Sequence, residues 1–283
     1  MAQLLVSIRD TAEAELINKC NIAIVDVKEP KRGSLGAATP KMLEAISGII
    51  SQPQTLSFAA GELSEWLSPN GQTFNKSPGS YYENVWNTFD FIKLGLAGAT
   101  RDNNDWKTQL RLFFGEIPRD SKTKPVVVSY LDFQSSHSPT PNELIDFASS
   151  IDACSTILFD TFDKAKNSLA SQSQSLLTDL IAKARSRSLT TVLAGSISTD
   201  CLGTALTSQP DLIGVRGAVC DSLRTDSISS DRVNEFVRVL QQANWNRALK
   251  NQNSTRNRLK KKRRSRRKLL TLKPTASYWF TQA

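Results

Sequence analysis

Ile22-Ala-Ile-Val-Asp26-Val-Lys28 is a short apolar run that closes on a carboxylate and an amine two residues apart. Strand side chains alternate, so Asp26 and Lys28 project to one side at the end of an otherwise dry segment. Runs of the same kind recur at Leu4–Ile8, Leu56–Ala60, Phe91–Leu96, Val126–Leu131, Thr156–Phe159, Thr191–Ala194 and Leu212–Val215, making eight with Ile22–Val27. Several are apolar at nearly every position, as strands covered on both faces are. Segments of helical character lie between them, near Ala12–Lys19, Lys41–Ser51, Tyr81–Asn87, Asp105–Phe114, Asn142–Ser149, Leu176–Arg187 and Thr199–Thr207, and a last one near Asp231–Gln242. Eight β-then-α units in about 240 residues predict an α/β fold, a single (β/α)8 TIM barrel. An open doubly wound sheet is the alternative.

The chain has 283 residues with 36 Lys+Arg against 27 Asp+Glu, a formal net charge of +9. That excess is not spread evenly. Ala243–Ala283 carries 13 of the basic residues and no acidic one, which leaves 23 basic against 27 acidic in residues 1–242. The expected organisation is therefore a barrel domain over 1–242 followed by a basic tail over 243–283, the latter disordered because like charges repel. No run approaches the roughly 18 apolar residues of a membrane span, so no membrane association is expected. His137 is the only histidine, which excludes multi-histidine metal sites; no metal and no cofactor is expected. The four cysteines form no C-x-x-C pair, as in a reduced, cytoplasmic protein. Met1–Asp10 has no basic segment ahead of an apolar one, so a secretory signal is not expected.

Other strand ends repeat the pattern of the second. Lys93 stands within Phe91-Ile-Lys-Leu-Gly-Leu96, Asp160 closes Leu158-Phe-Asp160 with Lys164 four residues on, and Val128-Ser-Tyr130-Leu-Asp132 adds a pair on the fifth strand. Lys and Asp are rarely buried unless paired, and in a closed barrel the C-terminal strand ends converge on one mouth where catalytic groups collect. A lysine in dry surroundings beside a second ammonium loses affinity for its proton, and the neutral amine can attack a carbonyl to form a Schiff base. Lys28, Lys93 and Lys164, with Asp26 and Asp160 as proton-handling partners, suit class I aldolase-type chemistry, although the residues alone do not choose the nucleophile. Gly195-Ser196 after the seventh strand and Arg216-Gly217-Ala218 after the eighth suit the phosphate site that barrels build there. Gly33-Ser34-Leu35-Gly36 is either an anion cradle or a plain loop, and the long Glu62–Ser80 connection is either a lid or a solvated insertion.

Taken together, Val25-Asp-Val-Lys-Glu-Pro-Lys-Arg-Gly-Ser-Leu-Gly-Ala37, Ile92-Lys-Leu-Gly-Leu96, Phe159-Asp-Thr-Phe-Asp-Lys164, Leu193-Ala-Gly-Ser196 and Ile213-Gly-Val-Arg-Gly-Ala218 resemble the (5-formylfuran-3-yl)methyl phosphate synthase (4-HFC-P synthase) family, in its order and over about residues 1–242. The resemblance implies a TIM barrel that condenses two glyceraldehyde 3-phosphate molecules to the furan aldehyde phosphate used in methanofuran-type one-carbon cofactor biosynthesis. It also implies that Lys28 forms the Schiff base, that Lys93 accepts a proton, and that Asp26, Asp160 and Lys164 complete the site. The sequence departs from the family pattern after Lys164. A lysine expected three residues on is Asn167, with Lys166 as the neighbouring substitute.

Two rival functions stand beside this one. The barrel is another phosphosugar aldolase or isomerase, or the chain binds nucleic acid through Arg256–Lys268, ten basic residues in thirteen. The expected partner is a small phosphosugar, with nucleic acid engaged at most through the tail and homo-oligomerisation left open.

Overall fold

The computed structural model describes residues 1–51, 54–67, 76–101, 105–164, 169 and 172–270, with the side chains of 251 and 253–270 left out. Its eight strands are β1 (Gln3–Ile8), β2 (Ile24–Val27), β3 (Thr55–Glu62), β4 (Phe91–Gly95), β5 (Lys124–Tyr130), β6 (Thr156–Asp160), β7 (Thr190–Leu193) and β8 (Leu212–Val215). Every neighbouring pair is parallel, and β1 pairs with β8 to close the barrel. The doubly wound alternative is thereby excluded.

The helices are α1 (Thr11–Ile17), α2 (Pro40–Ser47), α3 (Leu63–Leu67), α4 (Pro78–Tyr81), α5 (Trp106–Gly115), α6 (Phe133–Ser136), α7 (Pro141–Ala148), α8 (Gln174–Ser186), α9 (Thr199–Thr207) and α10 (Ser230–Leu270). Local sequence starts them. Asp10 caps α1 through the Glu13 amide, and Thr140 and Glu143 form a reciprocal capping box on α7 with Pro141 in its first turn. One expected helix is absent. Tyr81 ends the four-residue α4 and 82–87 form a bend and turn after it, because Tyr82 is drawn inward against Phe58 (4.8 Å between ring centroids) and Trp86 follows it. Aromatic burial outweighs helical spacing there. α3 was not anticipated either.

Residues pointing into the barrel form its core. Leu5, Val126, Val128, Leu158, Val192 and Leu212 meet around the axis, with Tyr130 and Leu35 above them toward the strand C-termini. The chain divides into two compact units, Met1–Gln241 and Gln242–Ala283. The backbone of α10 runs as far as Leu270. Among the described residues, no helix is long and apolar enough to cross a membrane.

Candidate active site

Register explains the deepest part of the mouth. Asp26 on β2 lies level with Ser7 on β1 and Ser57 on β3, all three pointing inward. Ser7 Oγ donates to Asp26 Oδ2 at 2.8 Å and Ser57 Oγ to Oδ1 at 3.0 Å. Lys93 reaches in from β4 to form an ion pair with the same carboxylate. Asp26 is 0% exposed and Lys93 4%, so two charges are held out of water only because pairing and hydroxyl donors replace their solvation.

Lys28 stands one layer nearer the mouth. Its Nζ donates to the Ser34 carbonyl at 3.1 Å. The turn carrying Ser34 is drawn close, and a side chain at Gly36 would sit 2.1 Å from the Glu29 carbonyl oxygen. Ser34 Oγ lies 3.0 Å from the Thr161 and Phe162 carbonyls, tying this turn to the end of β6. The Gly33–Gly36 turn thus supplies a carbonyl acceptor to the Lys28 amine. Burial pushes that amine down to about 7, and Lys164 and Lys93 add to the effect against Asp160 and Asp26.

Asp160 and Lys164 form a second ion pair at the end of β6, with Thr161 N donating to Asp160 Oδ1 at 2.8 Å. Asp132, noted after the fifth strand, accepts from the Phe162 and Asp163 amides at 2.7 and 3.0 Å and so shapes this turn. Asn167 and Lys166 lie outside the described residues, as do 68–75 of the Glu62–Ser80 connection.

Asp26, Lys28, Lys93, Asp160 and Lys164 line one cavity of about 290 Å³, together with Gly195–Ser198 and Arg216–Ala218. Gly195 and Ser196 both adopt left-handed backbone (φ 111° and 55°), and Ser198 caps the nine-residue α9. A turn of that kind leading into a helix N-terminus suits an anion. His137, by contrast, is the left-handed cap of α6 and does not line the cavity.

Arg216 is a correction. Its guanidinium grips Glu13 with two bonds (2.9 and 3.0 Å) and donates to the carbonyls of Ser7, Arg224 and Asp226 (3.0, 2.7 and 3.0 Å). All five of its N–H groups are thereby used, and none remains for a substrate phosphate. The strand-end position was readable, whereas the partner on α1 was not. Glu13→Ala, which strands this buried cation, is expected to cost about 3–5 kcal/mol in denaturant unfolding. Arg224 also lines the mouth, and its guanidinium donates to the Pro30 and Gly33 carbonyls at 3.0 Å each.

Ser7 and Ser57 went unremarked in the sequence although each interrupts a dry strand at an inward position. Glu62 was also missed. At the end of β3 it accepts from Tyr130 Oη at 2.6 Å and from the Ala97 amide at 2.8 Å, in space that a side chain at Gly95 would close. Burial raises its carboxyl to about 7, against those two hydrogen bonds and with Glu65 and Asp160 adding to the rise. A carboxyl raised on folding stays protonated while the unfolded chain ionises, so stability falls as pH rises from about 5 to about 7 and levels off above. At about 1.4 kcal/mol per pKa unit this amounts to on the order of 3 kcal/mol. Glu62→Gln is expected to flatten that slope in a pH series of urea denaturations.

An eight-stranded parallel barrel with lysine–carboxylate pairs gathered at the C-terminal mouth defines the class: a TIM-barrel protein with a charged mouth of catalytic type. Residues 4–237 match the 4-HFC-P synthase family, and the chain belongs to it. It is 28% identical over 240 residues to the (5-formylfuran-3-yl)methyl phosphate synthase of Methanosarcina barkeri, covering 83% of this chain and 97% of that protein. It is 30% identical over 242 residues to that of Methanocaldococcus jannaschii, covering 84% and 98%. Solved structures with the same fold include phosphoribosyl anthranilate isomerase from Thermotoga maritima (TM-score 0.54, 14% identity, 86% of this chain and 100% of that one). Another is 3-hexulose-6-phosphate synthase from Salmonella typhimurium (TM-score 0.54, 13% identity, 85% and 99%).

Proposed function

We propose that the chain is a cytoplasmic carbon–oxygen lyase that condenses two molecules of glyceraldehyde 3-phosphate to (5-formylfuran-3-yl)methyl phosphate, with loss of inorganic phosphate and water, for a methanofuran-type one-carbon cofactor. The observation that carries this reading is Lys28, an amine held near neutrality in the same cavity as two further lysine–carboxylate pairs. Neutral Lys28 attacks the carbonyl of one substrate, and the resulting iminium withdraws electrons from the adjacent carbon. Lys93 passes its own proton to Asp26 and takes the one that this carbon releases, and the carbon then joins the second aldehyde. Lys164 with Asp160 handles protons as water leaves. The Gly195–Ser198 turn and Gly217 receive phosphate through backbone amides. Lysines and Arg224 around the mouth favour dianionic substrates.

The test has two arms. Borohydride added with glyceraldehyde 3-phosphate is expected to leave a stable adduct on Lys28, read by peptide mass spectrometry. Incubation without borohydride is expected to develop a furan aldehyde chromophore with release of phosphate. An adduct without the chromophore would point instead to another phosphosugar aldolase.

A further inference from the structure

Below the mouth the barrel contains a second cavity, of about 130 Å³. Leu5, Lys93 and Leu158 border both cavities, so this layer is a floor between them. At the end away from the mouth, the wall residues Ser155 and Thr190 are exposed and Ile24 and Phe91 half-buried. Ile24, Phe91 and Leu212 also border a groove on that end of the barrel. Among the described residues, the lower cavity thus opens toward solvent opposite the mouth. Its walls are mostly apolar, with Ser57, Lys93, Ser155, Thr156 and Thr190 as the residues that carry hydrogen-bonding groups, and its volume has room for about four waters.

Ser57 stands where the two regions meet. It borders the lower cavity, and its hydroxyl donates at 3.0 Å to Asp26 Oδ1, the oxygen that Lys93 also holds. We propose that Ser57 passes protons between water in the lower cavity and the Asp26–Lys93 pair, so that the pair exchanges with solvent through the floor while substrate fills the mouth. This rests on the reading in which Lys93 takes a proton from substrate held at Lys28. The step changes only N–H and O–H bonds. After the substrate step Lys93 is protonated and Asp26 carries the extra proton; the Ser57 hydroxyl turns to a cavity water, Ser57 Oγ accepts the Asp26 proton as its own leaves to that water, and the hydroxyl turns back to Asp26. One proton leaves the pair, one reaches solvent, and the ion pair is restored.

A floor route has a clear use. Two sugar phosphates occupying a mouth of about 290 Å³ leave little room for a chain of waters above the pair. If Ser57 only braces Asp26 and the lower cavity is only a packing gap, filling that gap changes nothing in turnover.

Thr190→Phe fills the cavity from its exposed rim and leaves the Asp26 and Lys93 side chains in the chain. It is expected to lower kcat about tenfold and raise the solvent deuterium isotope effect, with borohydride trapping of glyceraldehyde 3-phosphate on Lys28 unchanged. Thr190→Ser keeps the cavity open and is expected to turn over as wild type does. Ser57→Ala is expected to slow turnover in the same way, and Ser57→Thr, which restores a hydroxyl, to recover it. Should Thr190→Phe not fold, Ser155→Phe serves in its place. Wild-type kcat and isotope effect in the filled variant overturn the relay alone. Failure of the wild-type chain to trap substrate overturns the Schiff-base reading, and the relay with it.

Discussion

Lys28→Ala is expected to abolish borohydride trapping of glyceraldehyde 3-phosphate and to lower turnover by about 10⁴-fold or more, the scale on which losing a covalent nucleophile is felt. The amine is already desolvated, held by the Ser34 carbonyl and pushed down to about 7. An exposed lysine near its ordinary pKa of about 10.4 is almost wholly protonated at neutral pH. Trapping in the wild-type chain should therefore rise through pH 7, and a midpoint near 10 would contradict the assignment. Stability provides a second readout. A lysine with a depressed folded pKa is neutral in the folded chain and charged in the unfolded one between about 7 and 10.5, so wild-type stability rises with pH across that window. Lys28→Met should lack the rise. Undiminished trapping in Lys28→Ala would move the nucleophile to another lysine.

Lys93→Ala is expected to cut turnover about 10²–10⁴-fold while leaving the Lys28 adduct in place. The separation follows from geometry, since Lys93 is committed to Asp26 whereas Lys28 donates to a neutral carbonyl. Removing Lys93 leaves the Asp26 carboxylate buried with only the hydroxyls of Ser7 and Ser57, so a stability loss of about 3–5 kcal/mol should accompany the kinetic one. The measurement that matters is consequently the ratio of trapped adduct to folded protein. Loss of trapping in correctly folded Lys93→Ala would exchange the roles of the two lysines.

The barrel was legible because period and repetition are local properties. Each of the eight dry runs marks a strand of the structure, displaced by at most two residues at either end, and Leu212–Val215 matches β8 at both ends. Lys28, Lys93, Asp26, Asp160 and Lys164 stood out for a local reason too, being charges in segments that should be dry, and they line one cavity. What escaped the sequence depends on who meets whom. Arg216 has the right position for a phosphate ligand, but Glu13, some 200 residues away in the chain, claims its guanidinium. Glu62 sits in a polar stretch where a carboxylate arouses no suspicion, and only Tyr130 and the room left at Gly95 make it unusual. Tyr81–Asn87 reads as helix until Phe58 offers Tyr82 a better place.

Arg224 donates to the carbonyls of Pro30 and Gly33, across separations of 194 and 191 residues. The turn that organises the reactive amine is thus pinned by one of the last parts of the barrel to leave the ribosome. A nascent chain exposes Lys28 early, yet neither Arg224 nor the Thr161 and Phe162 carbonyls that anchor Ser34 are there to shape its surroundings. On the proposed function, the lowered pKa that would make Lys28 reactive toward sugar phosphates requires the completed barrel.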